Sequence, residues 1–332
     1  MDLGVSVIVC AHNPRPDYLA RVLAALVAQT LPRGSWELLV IDNASAEPLA
    51  GRCDLAWHPN GRQIREDELG LTPARLRGIA EARAGLIVFV DDDNVLAADY
   101  LEQAVAIAGA WPLLGAWGGS VAGAFEEAQP APWVQPLLPF LGLREVPATL
   151  WSNNPEDWTA QPCGAGLCLR AEVARTYAAQ VAAEPWRRRL GRIGTNLTSG
   201  EDNDLVHTSR ALGLGFGNFP QLKLTHLIPA RRLAPDYVAR LMHGVVLSGT
   251  LLRYYQTGVL PPRPRALRTL ARYLLTWAVH GRQRARVYRS CTAAVGVAVR
   301  LARSTPLTER PTRSNGLPAQ TYPRVGQQGD AR

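Results

Sequence analysis

Lysine is almost missing from this chain of 332 residues: Lys223 stands alone against 35 arginines. Cysteine is sparse too. Cys10, Cys53, Cys163, Cys168 and Cys291 make an odd set without a repeating spacing, which excludes a disulfide-built miniprotein. Cys163 and Cys168 lack a second pair at zinc-ligand spacing and are expected to be structural thiols. No basic segment followed by an apolar one opens the sequence, so a reducing, cytoplasmic setting is expected. An unbroken apolar run of about 20 residues is also lacking. The charge-free stretch Gln103 to Phe125 is interrupted by Gly109, Pro112, Gly115, Gly118, Gly119 and Gly123, and reads as buried helix, turn and strand. There is no internal repeat.

Apolar residues, by contrast, make up 47% of the chain, enough for the core of one large α/β domain or two modest ones, and too many for a disordered chain. The net charge of +8 is unevenly placed. From Pro261 onward there are 14 arginines against Glu309 and Asp330, whereas residues 1–260 carry 22 basic and 26 acidic side chains. The basicity therefore belongs to a C-terminal extension, read as Arg-rich and helical over 231–303, with an amphipathic helix from about Pro261, and as a disordered tail over 304–332. That extension leaves three readings open: a solvated face, a contact with an anionic membrane at its inner surface, or, least favoured, nucleic-acid binding.

The first hundred residues alternate two hydrophobic periods. Val5 to Cys10, Glu37 to Ile41 and Leu86 to Val90 are short β-branched runs suited to buried strands. Between them, Leu19, Val22, Leu23, Leu26 and Val27 mark one helix, and Leu76, Ile79 and Ala80 another, with Thr72 expected as its cap and Gly85 ending it. This order predicts a mostly parallel central sheet with helices on both faces. In such sheets ligands gather beyond the carboxyl ends of the strands. His12 and Asn13, Asp42 and Asn43, and Asp91 to Asn94 all fall there. Residues 111–158 hold five tryptophans among many prolines, either a binding loop or packing for irregular segments.

Two acidic clusters carry the chemistry. Asp91-Asp92-Asp93 follows a strand, where adjacent carboxylates repel unless a divalent cation or solvent neutralises them. Gly200-Glu201-Asp202 opens an apolar-periodic helix through Leu205, Val206 and Leu212, where acids suit the helix dipole and can also serve as a base. Gly213, Gly215 and Gly217 imitate a dinucleotide fingerprint but follow a helix instead of a strand.

Taken in order, the segments Val5 to Asn13, Leu39 to Ser45, Gly70 to Gly78, Val88 to Asn94, Cys163 to Arg170 and Gly200 to Asp202 resemble the family 2 glycosyltransferases of GT-A fold, over residues 3 to 230. The resemblance implies a catalytic domain over 1–230, with a nucleotide-binding half over 1–110 and an acceptor half over 111–230. It implies donor-side places for Ala11, Asn13, Asp42, Arg75, Asp91 and Asp92, with Asp42 on the base and Asp91 near the ribose. Asp93 would hold Mn²⁺ or Mg²⁺. His226 matches a position that supplies a further metal ligand in some relatives, although a lone histidine there is as often a surface residue. Gly164, Ala165 and Gly166 would flank the acceptor, Asp202 would be the general base, and Glu201 would orient the acceptor. Glu68 and Leu76 stand where the family commonly has asparagine. The implied activity is inverting transfer from a nucleotide-diphosphate sugar, a UDP-sugar favoured, to a saccharide or lipid-linked acceptor in polysaccharide or glycolipid synthesis. The alternatives are a sugar-phosphate nucleotidyltransferase, against which Ala11-His12-Asn13-Pro14 lacks a glycine-rich basic loop, and a catalytically silent membrane-peripheral scaffold.

Overall fold

The computed structural model describes residues 3–126 and 129–304; the tail expected over 304–332 lies, beyond Ser304, outside the described residues. Among the described residues nine strands form one sheet: β1 (Val5–Ala11), β2 (Trp36–Asn43), β3 (Gly61–Glu66), β4 (Leu86–Asp91), β5 (Asn94–Leu96), β6 (Leu114–Phe125), β7 (Leu150–Ser152), β8 (Cys168–Arg170) and β9 (Gly215–Ile228). Their order is β3-β2-β1-β4-β8-β6-β9-β5, with β7 also on β9. The long ladders are parallel, whereas each antiparallel pairing spans only two or three residues.

Period-two alternation sorts the core into two layers. Val7, Val9, Leu38, Val40, Val88 and Val90 face α1 (Pro16–Val27) and α3 (Tyr100–Ala110). Ile8, Leu39, Ile41, Ile87 and Phe89 face α2 (Leu71–Glu81), α4 (Ala171–Ala183) and α5 (Glu201–His207). The α/β architecture with both faces covered is thus as the periodicity predicts. Several local expectations shift. Gly70, not Thr72, occupies the cap position of α2, and Thr72 and Pro73 lie within its first turn. The helix expected to run through Leu212 ends at His207 and tightens into a 3-10 turn. The tryptophans at 111, 117 and 151 serve packing: Trp117 is fully buried, and the Trp111 ring lies 6.3 Å from Trp151 and 5.5 Å from Phe219.

After β9 the chain forms α6 (Pro235–Thr257) and α7 (Ala266–Ser304), the latter broken at Gly281 (φ 82°, ψ 171°). Val238 and Met242 of α6 pack on Val134 and Leu137, while Leu247 and Leu251 pack on Trp186, Leu190, Ala294 and Ala298. No helix among the described residues is long and apolar enough to cross a membrane.

Candidate active site

A crevice of about 940 Å³ opens at the carboxyl ends of β1 and β4, within the size range of small-molecule sites. Its walls include Ala11, Asn13, Arg75, Asp91, Asp92, Asp93, Gly164, Ala165, Glu201, Asp202 and His226, so most of the residues expected from sequence come together. Two do not line it. Asp42, next to last in β2, has its oxygens engaged: it accepts from the Ser45 and Leu49 N–H groups at 3.2 and 3.0 Å and from Arg65 at 2.9 Å. Burial would raise its carboxyl, but these bonds hold it below the ordinary value. Its neighbour Asn43 lines the crevice instead. Gly166 lies beneath the surface at φ 67°, its carbonyl accepting from Tyr100 Oη at 2.6 Å.

The centre of the crevice is organised by Arg75, whose side chain is only 3% exposed. Its guanidinium lies 3.2 Å from Glu201 Oε1 and 3.7 Å from Asp91 Oδ1, and donates to the Gly164 carbonyl at 3.4 Å. The Gly164 N–H in turn donates to Asp202 Oδ2 at 3.0 Å. One arginine therefore links the strand-end acids of β4 to the acids opening α5. A Cβ on residue 164 would stand 2.9 Å from Arg75 Nη2 and 3.3 Å from Asp202 Oδ2, so a larger residue there would crowd this link. Burial pushes the Glu201 carboxyl up to about 7, the Asp202 charge adding and the Arg75 charge opposing. Burial also raises Asp91 and, more strongly, Asp92, whose acidic neighbours add to the effect.

Asp93 and His226 meet because of backbone pairing. β5 runs antiparallel to β9 with Asn94 opposite His226, and the Leu227 N–H donates to the Asp93 carbonyl at 2.9 Å. His226 Nε2 then stands 3.4 Å from Asp93 Oδ2. Arg232 bridges them: Nη2 lies 2.9 Å from Asp93 Oδ2, and Nη1 donates to His226 Nε2 at 2.9 Å. That bond makes Nε2 an acceptor, hence a neutral ring protonated at Nδ1, and Nδ1 is buried without a partner. Burial alone would raise the Asp93 carboxyl, but the Arg232 guanidinium beside it holds it below the ordinary value.

A carboxylate oxygen and a neutral imidazole nitrogen at this separation are suitable donors for Mn²⁺, with substrate phosphates and water completing the shell. Among the described residues no group of three His, Cys, Asp or Glu forms a ready cage. The sequence reading missed the basic rim: Arg192, Arg231, Arg232 and Arg240 all line the crevice. The only signal was their place, two of them directly after the His226 strand, and it was lost among 35 arginines. Trp158, the one member of the 111–158 tryptophan group on the crevice wall, is half exposed.

A doubly covered, mostly parallel sheet with an acid-lined crevice at its strand ends defines the class as a doubly wound α/β chain. Residues 6–141, about two fifths of the chain, match the family described as Glycosyl transferase family 2. Over 104 residues it is 29% identical to Glycosyltransferase AglE of Haloferax volcanii, covering 30% of this chain and 34% of that protein, so it spans about a third of that relative's length. The mannosyltransferase PcManGT from Pyrobaculum calidifontis, solved with GDP-Man and Mn²⁺, superposes with a TM-score of 0.52 at 18% identity, over 93% of this chain and 78% of that one, and shares the fold. S. aureus TarS 1-349, solved with UDP-GlcNAc, gives a TM-score of 0.46 at 14% identity over 74% of this chain and 66% of that one.

Proposed function

We propose that the chain is an inverting, metal-assisted glycosyltransferase that moves a sugar from a nucleotide-diphosphate donor to a hydroxyl acceptor, saccharide or lipid-linked, in polysaccharide or glycolipid synthesis. The observation that carries this reading is the Arg75 link, which gathers the acids of two distant segments on one crevice.

Breaking the bond between C1 and the diphosphate builds negative charge on the leaving phosphates and positive charge on the sugar ring. Asp93 and His226 would hold the cation, with Mn²⁺ or Mg²⁺ as candidates. When bound, that cation supplies charge neutralisation for the leaving diphosphate. Mn²⁺ stands in the related mannosyltransferase structure. The arginines of the rim add fixed positive charge around the same phosphates. Ala11, Asn13 and Asp92 line the donor side, and Asp42 reaches the base only through the loop it anchors.

Asp202 is the general base in this reading. Its Oδ2 is oriented by the Gly164 N–H, and its Oδ1 accepts from the Asn203 N–H at 2.9 Å. Taking the acceptor proton from the face opposite the diphosphate gives single displacement with inversion at C1. Glu201 and the Gly164 to Gly166 strip position the acceptor, Glu201 by holding Arg75.

The test is donor turnover by the purified chain with Mn²⁺ or Mg²⁺ and UDP-, GDP- and TDP-sugars, acceptor omitted and supplied. Metal-dependent hydrolysis or transfer is expected, and Asp93→Asn should remove the metal-dependent part of donor binding. If no donor is turned over while the variant and the parent bind donors alike, the enzymatic reading fails and the scaffold reading replaces it.

A further inference from the structure

The C-terminal extension divides at Gly281 into two helices with opposite surroundings. Beyond it, Ala285, Val287, Ala294, Ala298 and Ala302 are buried, most of them against α6. Before it, residues 266–280 form a helix about 22 Å long in which no residue is buried. Isolated helices of this length are marginal in water, so this arm requires a surface to lie on.

The arm specifies that surface. Leu267, Leu270, Leu274 and Trp277 recur at helical spacing, and Leu267 is 84% and Trp277 54% exposed. Arg268 and Arg272 project from the other side, at about 100° per residue. Neither makes an ion pair among the described residues, and from Tyr237 to Thr308 the sequence holds twelve arginines and no acid. A second copy of an arm without acids would meet like charge. Nucleic acid would neutralise the arginines and leave the leucine stripe wet. A bilayer interface carrying anionic headgroups takes both faces at once, leucines and tryptophan at the acyl boundary and guanidinium groups among the phosphates.

We propose that residues 266–280 are a docking arm for an anionic lipid surface, hinged at Gly281. This deepens the lipid-linked branch of the proposed function by naming the surface, but it does not depend on sugar transfer, because vesicle binding and donor turnover are read separately.

The experiment is flotation of the full chain with vesicles of phosphatidylcholine alone or mixed with phosphatidylglycerol at about 7:3, at about 0.1 and about 0.5 M salt. Co-flotation with the mixed vesicles is expected, weakened by salt and by omission of phosphatidylglycerol. Leu270→Asp/Leu274→Asp, both exposed and so without effect on the melting temperature, should reduce the bound fraction at least tenfold. Flotation unaffected by the double variant overturns the proposal. So does a failure to float with the mixed vesicles; dimerisation that the same variant abolishes, or salt-sensitive binding to duplex DNA, would then name the occupant in place of lipid.

Discussion

The Arg232 guanidinium occupies the gap between Asp93 and His226, with Nη2 2.9 Å from the Asp93 carboxylate. It neutralises the carboxylate and takes the imidazole lone pair that a cation would use. Arg232 and a metal therefore compete for the same two donors. Arg232→Gln should tighten Mn²⁺ binding about tenfold, one charge-pair's worth of free energy, as read by calorimetry or by the loss of the free Mn²⁺ resonance. Weaker Mn²⁺ binding in the variant would show that Arg232 supports the site.

Asp202→Asn keeps the size of the side chain and its bond from the Gly164 N–H while removing the base. Transfer should fall about a hundredfold or more with donor affinity nearly unchanged, the pattern of a group used only in the transition state. A parallel loss of kcat and donor affinity would identify Asp202 as a structural residue.

Glu201 gives the protein a stability slope with a defined sign. Its carboxyl is raised from about 4.5 to about 7 in the folded chain, so between these pH values the native state holds a proton that the unfolded state has released. Its contribution is full below about pH 4.5 and is lost as the pH rises through about 7. Asp204, raised by burial to about 6 against the pull of Arg187, acts in the same direction. Glu201→Gln should make the stability profile between about pH 5 and 7 shallower by up to about 1.4 kcal/mol per pH unit, measured by urea unfolding across that range.

Gly166→Ala tests the floor of the acceptor strip. The residue has φ 67°, and a Cβ there would lie 2.5 Å from both Leu224 Cδ2 and Tyr100 Oη. Backbone strain and overpacking together predict a loss of about 2 to 4 kcal/mol, seen as a lower urea midpoint with an unchanged m-value.

The sheet and its flanking helices were legible because β1, β2 and β4 are buried on both faces and so read as short apolar runs between amphipathic helices. β3 was not, since Gly61-Arg-Gln-Ile-Arg-Glu66 is a half-exposed edge strand whose composition carries no burial signal. The acid clusters were legible as clusters, but their union was not: it depends on Arg75, whose role is fixed by what lies above it 126 residues later in the chain. Asp42 shows the converse. Its position after a strand suggested a free ligand, and only the geometry shows its oxygens satisfied by Ser45, Leu49 and Arg65.

The rung joining Asn94 to His226 is made by main-chain atoms, and it fixes Asp93 against His226 whatever side chains lie between them in sequence. The irregular loops between the end of β5 and the start of β9, outside the strands β6 and β8 that pair in the same sheet, can thus lengthen or shorten without moving that pair. Recognition of new partners can be remodelled in the intervening loops while the ionic heart of the crevice stays where it is.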